Sequence, residues 1–350
     1  MTQNNITVAV TGINNLAHNP GPGTAVAKCL KASTLFNINV IGLGYDALDP
    51  GFYLPEYIDE GYLIPYPSAG ESALIDRISE IHKNTAIDII IPCLDSEISS
   101  FIRISHLLDE LGISSYLPTS EQIRLRNKDH LTELAEYAKI SCPKIKAISD
   151  LRFFETCEED DWQYPMVVKG VFYDAKIVYN KMEAEKAFKS ISRQWGYPVL
   201  VQKFVSGEEY NLTGIGDGNG YLINPVMMKK LAITDKGKAW AGISYFDNNL
   251  LMAAQSLVNA ISWKGPLEVE VMKDDKGNYQ LIEINPRFPA WIYLSVGVNK
   301  NLPENLIQLS LNQHIIDKEA AIAGKIFVRY AEEKIIDISK FESIVMQGNK

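Results

Sequence analysis

QLIEINPRFPAW, running from Gln280 to Trp291, sets a Glu, an Asn and an Arg at alternate positions and then stops at two prolines. In a strand, residues two apart share a face, so Glu283, Asn285 and Arg287 line one side. Just upstream, LEVEVMKDDKGNY places Glu268 and Glu270 at alternate positions of a partner strand, with a turn at Asp275-Lys276-Gly277-Asn278. Two carboxylates and a carboxamide oxygen then converge across a hairpin. Hard oxygen ligands of this kind suit Mg²⁺. The neighbouring Arg287 has a planar fork that grips phosphoryl or carboxylate oxygens. A solvated sheet face with cross-strand charge pairs carries the same pattern, so the hairpin alone does not decide between the two.

The surrounding chain adds weight. Lys169 ends the apolar strand MVVKG, where a lone charge needs a partner. LVQKFVSGEEY feeds an apolar strand into a short connection. Its residues Gln202, Lys203, Phe204 and Val205 can offer backbone groups to a flat base, and Glu208 or Glu209 can take ribose hydroxyls. EEYNLTGIGDGNGYLINPVMMKKL alternates about an Asp217–Gly220 turn, a second hairpin signal. Helical stretches such as AEKAFKSISRQWG and NNLLMAAQSLVNAISWKG intervene, so this half reads as α+β with antiparallel strands.

The first hundred or so residues have a different texture. ITVAVTG, NINVIGLG and IDIIIPC are continuous apolar runs, separated by helical patterns in GTAVAKCLKAS, ESALIDRISEIHKN and SEISSFIRISHLLDELG. Such runs imply a parallel sheet covered on both faces, a Rossmann-like unit. The turn GINNLAHNPGPG lacks the GxGxxG fingerprint, so a plain tight turn explains it as well as phosphate binding does. In RLRNKDHLTELAEYAKISCPKI, Lys128 and Asp129 are expected to open a helix.

Composition bounds the function. The chain has 350 residues, 46% hydrophobic and 22% charged, with net charge −9. That balance fits an ordinary globular protein of more than one domain and argues against nucleic acid or anionic lipid as partners. Cys29, Cys93, Cys142 and Cys157 form no CxxC pair, so free thiols are expected. No run approaches the ~20 apolar residues of a membrane span, and the first residues lack a basic, then apolar, leader. A cytoplasmic protein is the expectation.

With these motifs in order, the chain resembles the ATP-grasp superfamily, in its carboxylate–amine ligase and carbamoyl-phosphate-synthase-like branch. The resemblance runs over roughly residues 1–330, and IEINPR is its most specific part. It implies a Rossmann-like (pre-ATP-grasp) α/β domain over 1–115 and an α+β ATP-grasp fold over 116–330. The latter would divide into a lid-bearing part about 144–205 and a metal-binding part about 206–330, leaving 331–350 as a tail. It implies ATP and Mg²⁺ as cofactors, with Mn²⁺ as an acceptable substitute. Lys128 and Lys169 would touch ATP phosphates, and Gln202, Lys203, Phe204 and Val205 would lie along the adenine. Glu209 would bind ribose, while Glu270, Glu283 and Asn285 would hold the metal. Arg287 would meet the γ-phosphate or the acyl phosphate made from it. Lys230 is a phosphate-side candidate in competition with Lys229. The implied reaction activates a small or peptide-like carboxylate for attack by an amine, and a homodimer is an admissible assembly.

One departure stands out. Where the family carries a glycine-rich lid, this chain has KGVFYDAKIVYN, with Gly170 alone. Phe172 and Tyr173 are expected either to shield the site or to face substrate. Asp174 and Lys176 form either a new polar contact or a solvated hairpin end. Two other functions compete with carboxylate–amine ligation. Bicarbonate activation keeps the fold, though no second synthetase half or biotinyl domain is in sight. A nucleotide-binding regulatory module is the other, and the retained Glu270, Glu283, Asn285 and Arg287 argue against it. Phe288, Trp291 and Tyr293 fit an acceptor pocket and a helix core equally well.

Overall fold

The structure is a computed structural model that describes residues 5–157, 161–171, 174–315 and 321–348. The first unit alternates β1 (Asn5–Val10), α1 (Gly23–Lys31), β2 (Asn37–Gly44), β3 (Glu60–Leu63), α2 (Glu71–Asn84), β4 (Ile89–Ile91) and α3 (Asp95–Glu110). Its sheet is parallel, in the order β3-β2-β1-β4. The two-residue period splits each strand between two cores. Val8, Val10, Val40, Ile89 and Ile91 pack with Val26 and Leu30 of α1. Ala9, Ile41, Leu43 and Ile90 pack on the other side with Ile78 of α2 and Phe101 of α3. Continuous apolar strands are therefore what two covered faces require. β3, only four residues long, was not anticipated.

Next come α4 (Ser120–Arg126) and α5 (Leu131–Ala138). Thr119 caps α4, its Oγ1 accepting from Gln122 N. The helix expected to open at Lys128 and Asp129 instead begins at Leu131, so Lys128 lies in the connection between the two helices. A small antiparallel sheet follows from β5 (Ile145–Ile148), α6 (Phe153–Thr156), β6 (Met166–Gly170), β7 (Ala175–Val178), α7 (Lys181–Trp195) and β8 (Val199–Lys203). Its order is β5-β8-β6-β7. Val168 and Val201 pack under Phe188 and Ile191 of α7.

The chain then builds β9 (Gly207–Asp217), β10 (Leu222–Ile233), β11 (Ala239–Tyr245), α8 (Asn248–Ile261), β12 (Lys264–Asp274), β13 (Tyr279–Asn285), α9 (Leu294–Gly297), α10 (Leu302–Ser310), β14 (Ile326–Val328) and α11 (Ile338–Gln347). The six strands lie in the order β13-β12-β9-β10-β11-β14. Both expected hairpins form, β9–β10 and β12–β13. One face is covered by α5 and α8. The other shares a core with the parallel unit: Ile215, Val226, Phe288, Trp291 and Leu306 sit in one cluster with Val8, Val26 and Leu30. That continuous core fixes the end of β13 against the start of α3. The stretch set apart as a tail includes α11. Its Ile344 is fully buried, and the Gly348 carbonyl accepts from Arg77 Nη2 and Leu63 N at 2.8 Å each. Among the described residues no helix is long and apolar enough to cross a membrane.

Candidate active site

The β12–β13 ladder sets Glu270 opposite Glu283 and Glu268 opposite Asn285. Directly opposed residues hold their Cβ atoms about 5 Å apart, close enough to act on one ligand. A β-bulge interrupts the register: Glu270 pairs with Glu283 but Val271 with Leu281, leaving Ile282 as the extra residue. Bulges of this kind re-aim side chains beside functional sites.

Glu268 is the organising acid. It is 4% exposed. Its Oε1 accepts from Asn211 Nδ2 at 2.9 Å and Trp291 Nε1 at 2.7 Å. Its Oε2 accepts from Asn285 Nδ2 at 3.0 Å and Arg287 Nη1 at 3.3 Å. Four donors occupy the lone pairs of this carboxylate, which leaves it little capacity for a metal. Asn285 Nδ2 also donates to Glu270 Oε1 at 2.9 Å. Held between two carboxylates, the NH₂ end must face them, and Oδ1 is turned the other way as an acceptor. Glu270, Glu283 and the Asn285 carboxamide oxygen thus fit a small hard cation. Among the described residues no group of three or more His, Cys, Asp and Glu side chains is arranged to hold a metal, so the carboxamide is integral to this candidate set.

Cations stand on the acids from several elements. Lys128 Nζ lies 3.4 Å from Glu283 Oε1 and Lys230 Nζ 3.7 Å from Glu270 Oε2. Lys230 also donates to Glu209. Adjacent strand residues face opposite sides. Lys229 accordingly turns away, pairing with Glu208 at 2.7 Å beside the Tyr210 ring, while Lys230 is the lysine that lies beside Glu270. Burial pushes the Glu209 carboxyl up, aided by the Glu270 charge and opposed by Lys230. Burial acts on Glu270 too, but Lys230, Lys238 and Arg287 outweigh it and hold that carboxyl low. Lys169, 4% exposed, is brought from the small sheet to Lys128 and Glu283. Burial, and then the Lys128 charge, lower its ammonium to about 8, against the pull of Glu283 and Cys142.

Arg287 Nε donates to Asp95 Oδ2 at 2.8 Å, and its Nη1 also reaches the Phe288 carbonyl at 3.3 Å. Asp95 is the first residue of α3, at the carboxyl end of β4. The turn carrying it is clamped by buried Glu97, whose Oε1 accepts from the Cys93 and Leu94 amides at 2.9 Å each, and from Thr11. Asp95, Arg126 and Lys238 carry no signal singled out in the sequence, where Glu268 stands only as a companion of Glu270 on the hairpin face. The signal for Asp95 was available: ligands of open parallel sheets gather outside the carboxyl ends of the strands.

The expected adenine residues lie where the small sheet hands over to the large one. Gln202 is buried and paired across β8 with Ile145 and Val167. Lys203 N donates to Lys144 O at 3.0 Å and its Nζ to Asp161 Oδ2 at 2.6 Å. Phe204 is exposed and Val205 half-buried. The structure therefore gathers Lys128, Lys169, Lys230, Glu209, Glu270, Glu283, Asn285 and Arg287 into one charged group, and sets Gln202 to Val205 on the connection between the sheets.

The β6–β7 link is short. Gly170 N donates to Asp174 O at 3.0 Å, and Asp174 sits at φ +64°. Its Oδ2 accepts from Trp195 Nε1 at 2.7 Å, while Lys176 Nζ lies 3.3 Å from Ser190 Oγ. Both side chains tie the hairpin to α7. Phe172 and Tyr173, expected to shield the site or face substrate, lie outside the described residues. Of the three aromatic residues after β13, Phe288 and Trp291 are buried core and Tyr293 is 47% exposed.

A family model described as ATP-grasp in the biosynthetic pathway with Ter operon matches residues 197–334. The carbamoyl phosphate synthase large chain of Clostridium acetobutylicum is 24% identical over 232 residues, which is 62% of this chain and 21% of that protein. The chain thus spans about a fifth of the length of this curated relative. The biotin carboxylase–β-γ-ATP complex from Campylobacter jejuni superposes with TM-score 0.70 at 17% identity, covering 91% of this chain and 74% of that one. N5-carboxyaminoimidazole ribonucleotide synthetase from Thermotoga maritima gives 0.60 at 17%, covering 92% and 79%. With its parallel preface, two antiparallel sheets and closing Glu-x-Asn-x-Arg strand, the chain has the ATP-grasp fold, and its residues 197–334 match an ATP-grasp family model.

Proposed function

We propose that this protein is an ADP-forming, ATP-dependent ligase that activates a carboxylate as an acyl phosphate for attack by an amine. The observation that carries this is the opposed Glu270–Glu283 pair, with the Asn285 oxygen beside it and Lys128, Lys169, Lys230 and Arg287 gathered around. A carboxylate oxygen of the acid attacks the γ-phosphorus, and the bond to ADP breaks. The amine nitrogen then attacks the acyl carbon, losing a proton, and inorganic phosphate leaves. Such chemistry needs positioning and charge neutralisation more than covalent help. Glu270, Glu283 and Asn285 would hold Mg²⁺, which when bound neutralises phosphate charge. Lys128 and Lys169 bind phosphates, and Lys230 joins them on leaving Glu209, which frees that carboxylate for ribose. Gln202 to Val205 flank the base.

Steady-state ADP release tests the proposal. ADP should form with Mg²⁺ and ATP only when a suitable acid is added, and a panel including bicarbonate separates ligation from bicarbonate activation. ATP binding without ADP release under every acid would reduce the protein to a nucleotide-binding module. Arg287→Lys keeps the charge and loses the fork. ATP should still raise the melting temperature of that variant, while ADP formation falls about a hundredfold. A parallel loss of ATP affinity would place Arg287 on the bound nucleotide instead.

Lys169 gives a pH test. Its ammonium loses its proton near pH 8, so ATP affinity should fall as pH rises through that value. Stability runs the other way. Between about 8 and 10.5 the unfolded chain holds a proton that the native chain lacks, so this group's contribution to stability rises with pH there. Below pH 8 the buried charge is a standing cost on the order of 3 kcal/mol. Lys169→Met should therefore melt a few degrees higher than wild type at pH 7 and lose most of its response to ATP. A lower melting temperature with an intact ATP response would make Lys169 a structural residue.

A further inference from the structure

Asn211 is 1% exposed and lies on β9, between β10 and β12. Its Nδ2 donates to Glu268 Oε1 at 2.9 Å, while its Oδ1 is buried with no hydrogen-bond partner among the described residues. A carboxylate only accepts, so the NH₂ end is the end that faces Glu268. Buried acceptors are nearly always matched, and one that is not calls for a reason. The strand register fixes which way this oxygen turns. Across β12, Glu268 stands opposite Thr213, two residues beyond Asn211. The NH₂ end is drawn that way, and the oxygen turns back toward Glu209, two residues earlier on the same face. Across β10, Asn211 stands opposite Met228, which makes Lys230 its diagonal neighbour. Such neighbours lie about 7–8 Å apart, within reach of a long side chain.

Lys230 is the donor in that direction. Its side chain is 9% exposed, and its ammonium has three protons to place. It donates to Glu209 and, at 3.3 Å, to Gly237 O, with Glu270 Oε2 standing off at 3.7 Å. Burial opposes its charge, but Glu270, Glu209 and Glu268 outweigh it, so the ammonium keeps its proton. Glu209 is also the carboxylate proposed above for ribose, and the two uses compete. Once Glu209 turns to the sugar, a buried ammonium loses its close partner and needs another. We infer that Asn211 is a positioning residue, whose Oδ1 receives the Lys230 ammonium when Glu209 turns to the nucleotide ribose and holds it, with Glu270, aimed at the phosphates. This rests on the ligase proposal above and adds the group that receives Lys230. The exchange moves no proton and takes in no outside ligand: one hydrogen bond of the ammonium breaks at Glu209 and one forms at Asn211. Nδ2 keeps Asn211 anchored to Glu268, itself held by Trp291, Asn285 and Arg287, so the receiving oxygen is set before the nucleotide arrives.

A double-mutant cycle on the full chain separates this role from plain packing. Calorimetry with Mg²⁺ and a non-hydrolysable ATP analogue is run on the wild type, Asn211→Val, Lys230→Met and the double variant, and all four are melted without nucleotide. Each single change should weaken analogue binding about tenfold, the scale of one lost charge-assisted hydrogen bond. The double variant should bind like Lys230→Met alone. Without nucleotide, where Lys230 sits on Glu209, the two melting shifts should simply add. A 2′,3′-dideoxy form of the analogue offers Glu209 no hydroxyl, and its binding should show no coupling between the two residues. If the valine variant fails to fold, Asn211→Ser replaces it, its hydroxyl being too short to reach Lys230 while Glu268 keeps three donors. Additive losses of analogue affinity, or equal coupling in the melts without nucleotide, overturn the inference and return Asn211 to a structural role. Additive losses in a protein that binds the analogue leave the ligase proposal standing. A wild type that binds no analogue defeats that proposal first, and this inference with it.

Discussion

Glu283→Gln should cut ADP formation about a thousandfold, the scale of removing one pre-aimed electrostatic group from an active site. Its melting temperature should stay within about two degrees of wild type. The asymmetry follows from what Glu283 touches. It forms an ion pair with Lys128, 3.4 Å away, and both side chains are partly open to solvent. Partly exposed ion pairs of that kind contribute about 1 kcal/mol or less to folding. Gln fills the same space and keeps one acceptor oxygen, so the strand pairing of Glu283 with Glu270 survives. What is lost is one of two facing negative charges, the property a divalent cation needs. Lys128 and Lys169 are then left without the carboxylate that offsets their mutual repulsion, and ATP should bind with altered affinity as well as react slowly. Near-wild-type ADP formation by this variant would remove Glu283 from the metal set and reopen the assignment of Glu270 and Asn285.

Much of this arrangement was legible because it rests on short-range rules. The hairpin of Leu267 to Asn285 declares itself by period two and by a turn at Asp275 to Asn278, and those features alone bring Glu268, Glu270, Glu283 and Asn285 together. The parallel unit announces itself because strands covered on both faces cannot alternate. Other elements carried no such signal. β3 and β14 are four and three residues long. β11 reads AWAGISY, in which small residues blur the alternation. The helix in the presumed tail is amphipathic toward a core formed by residues some three hundred positions earlier. Asp95 illustrates the deeper limit. Its bond to Arg287 joins positions 192 apart, and no local pattern at either end specifies the other. Glu268 and Glu270 look alike in sequence. The donors Asn211, Trp291 and Arg287 make the first an organising acid and leave the second to the cations.

That difference yields the opposite result at the neighbouring acid. Glu268→Gln should lower the melting temperature by on the order of 10 °C, through a loss of about 3–5 kcal/mol, whether or not ATP is present. The wild-type carboxylate accepts from Asn211, Trp291, Asn285 and Arg287 and donates to none of them. A glutamine in its place has one acceptor oxygen and an NH₂ group that must face either Asn211 and Trp291 or Asn285 and Arg287. Either orientation sets donor against donor in a site that is 4% exposed. It also removes one of the two carboxylates paired with buried Arg287, leaving Asp95. Activity at low temperature should fall too, because Asn285 loses one of the two acceptors that turn its oxygen toward the proposed metal. Chemical denaturation and thermal melting of the two variants side by side separate the roles. Glu268→Gln should lose stability first and Glu283→Gln activity first. If Glu268→Gln melts like wild type, the four-donor carboxylate is not what holds β12, β13 and the Arg287 turn together, and the Asn285 orientation argued from it falls as well.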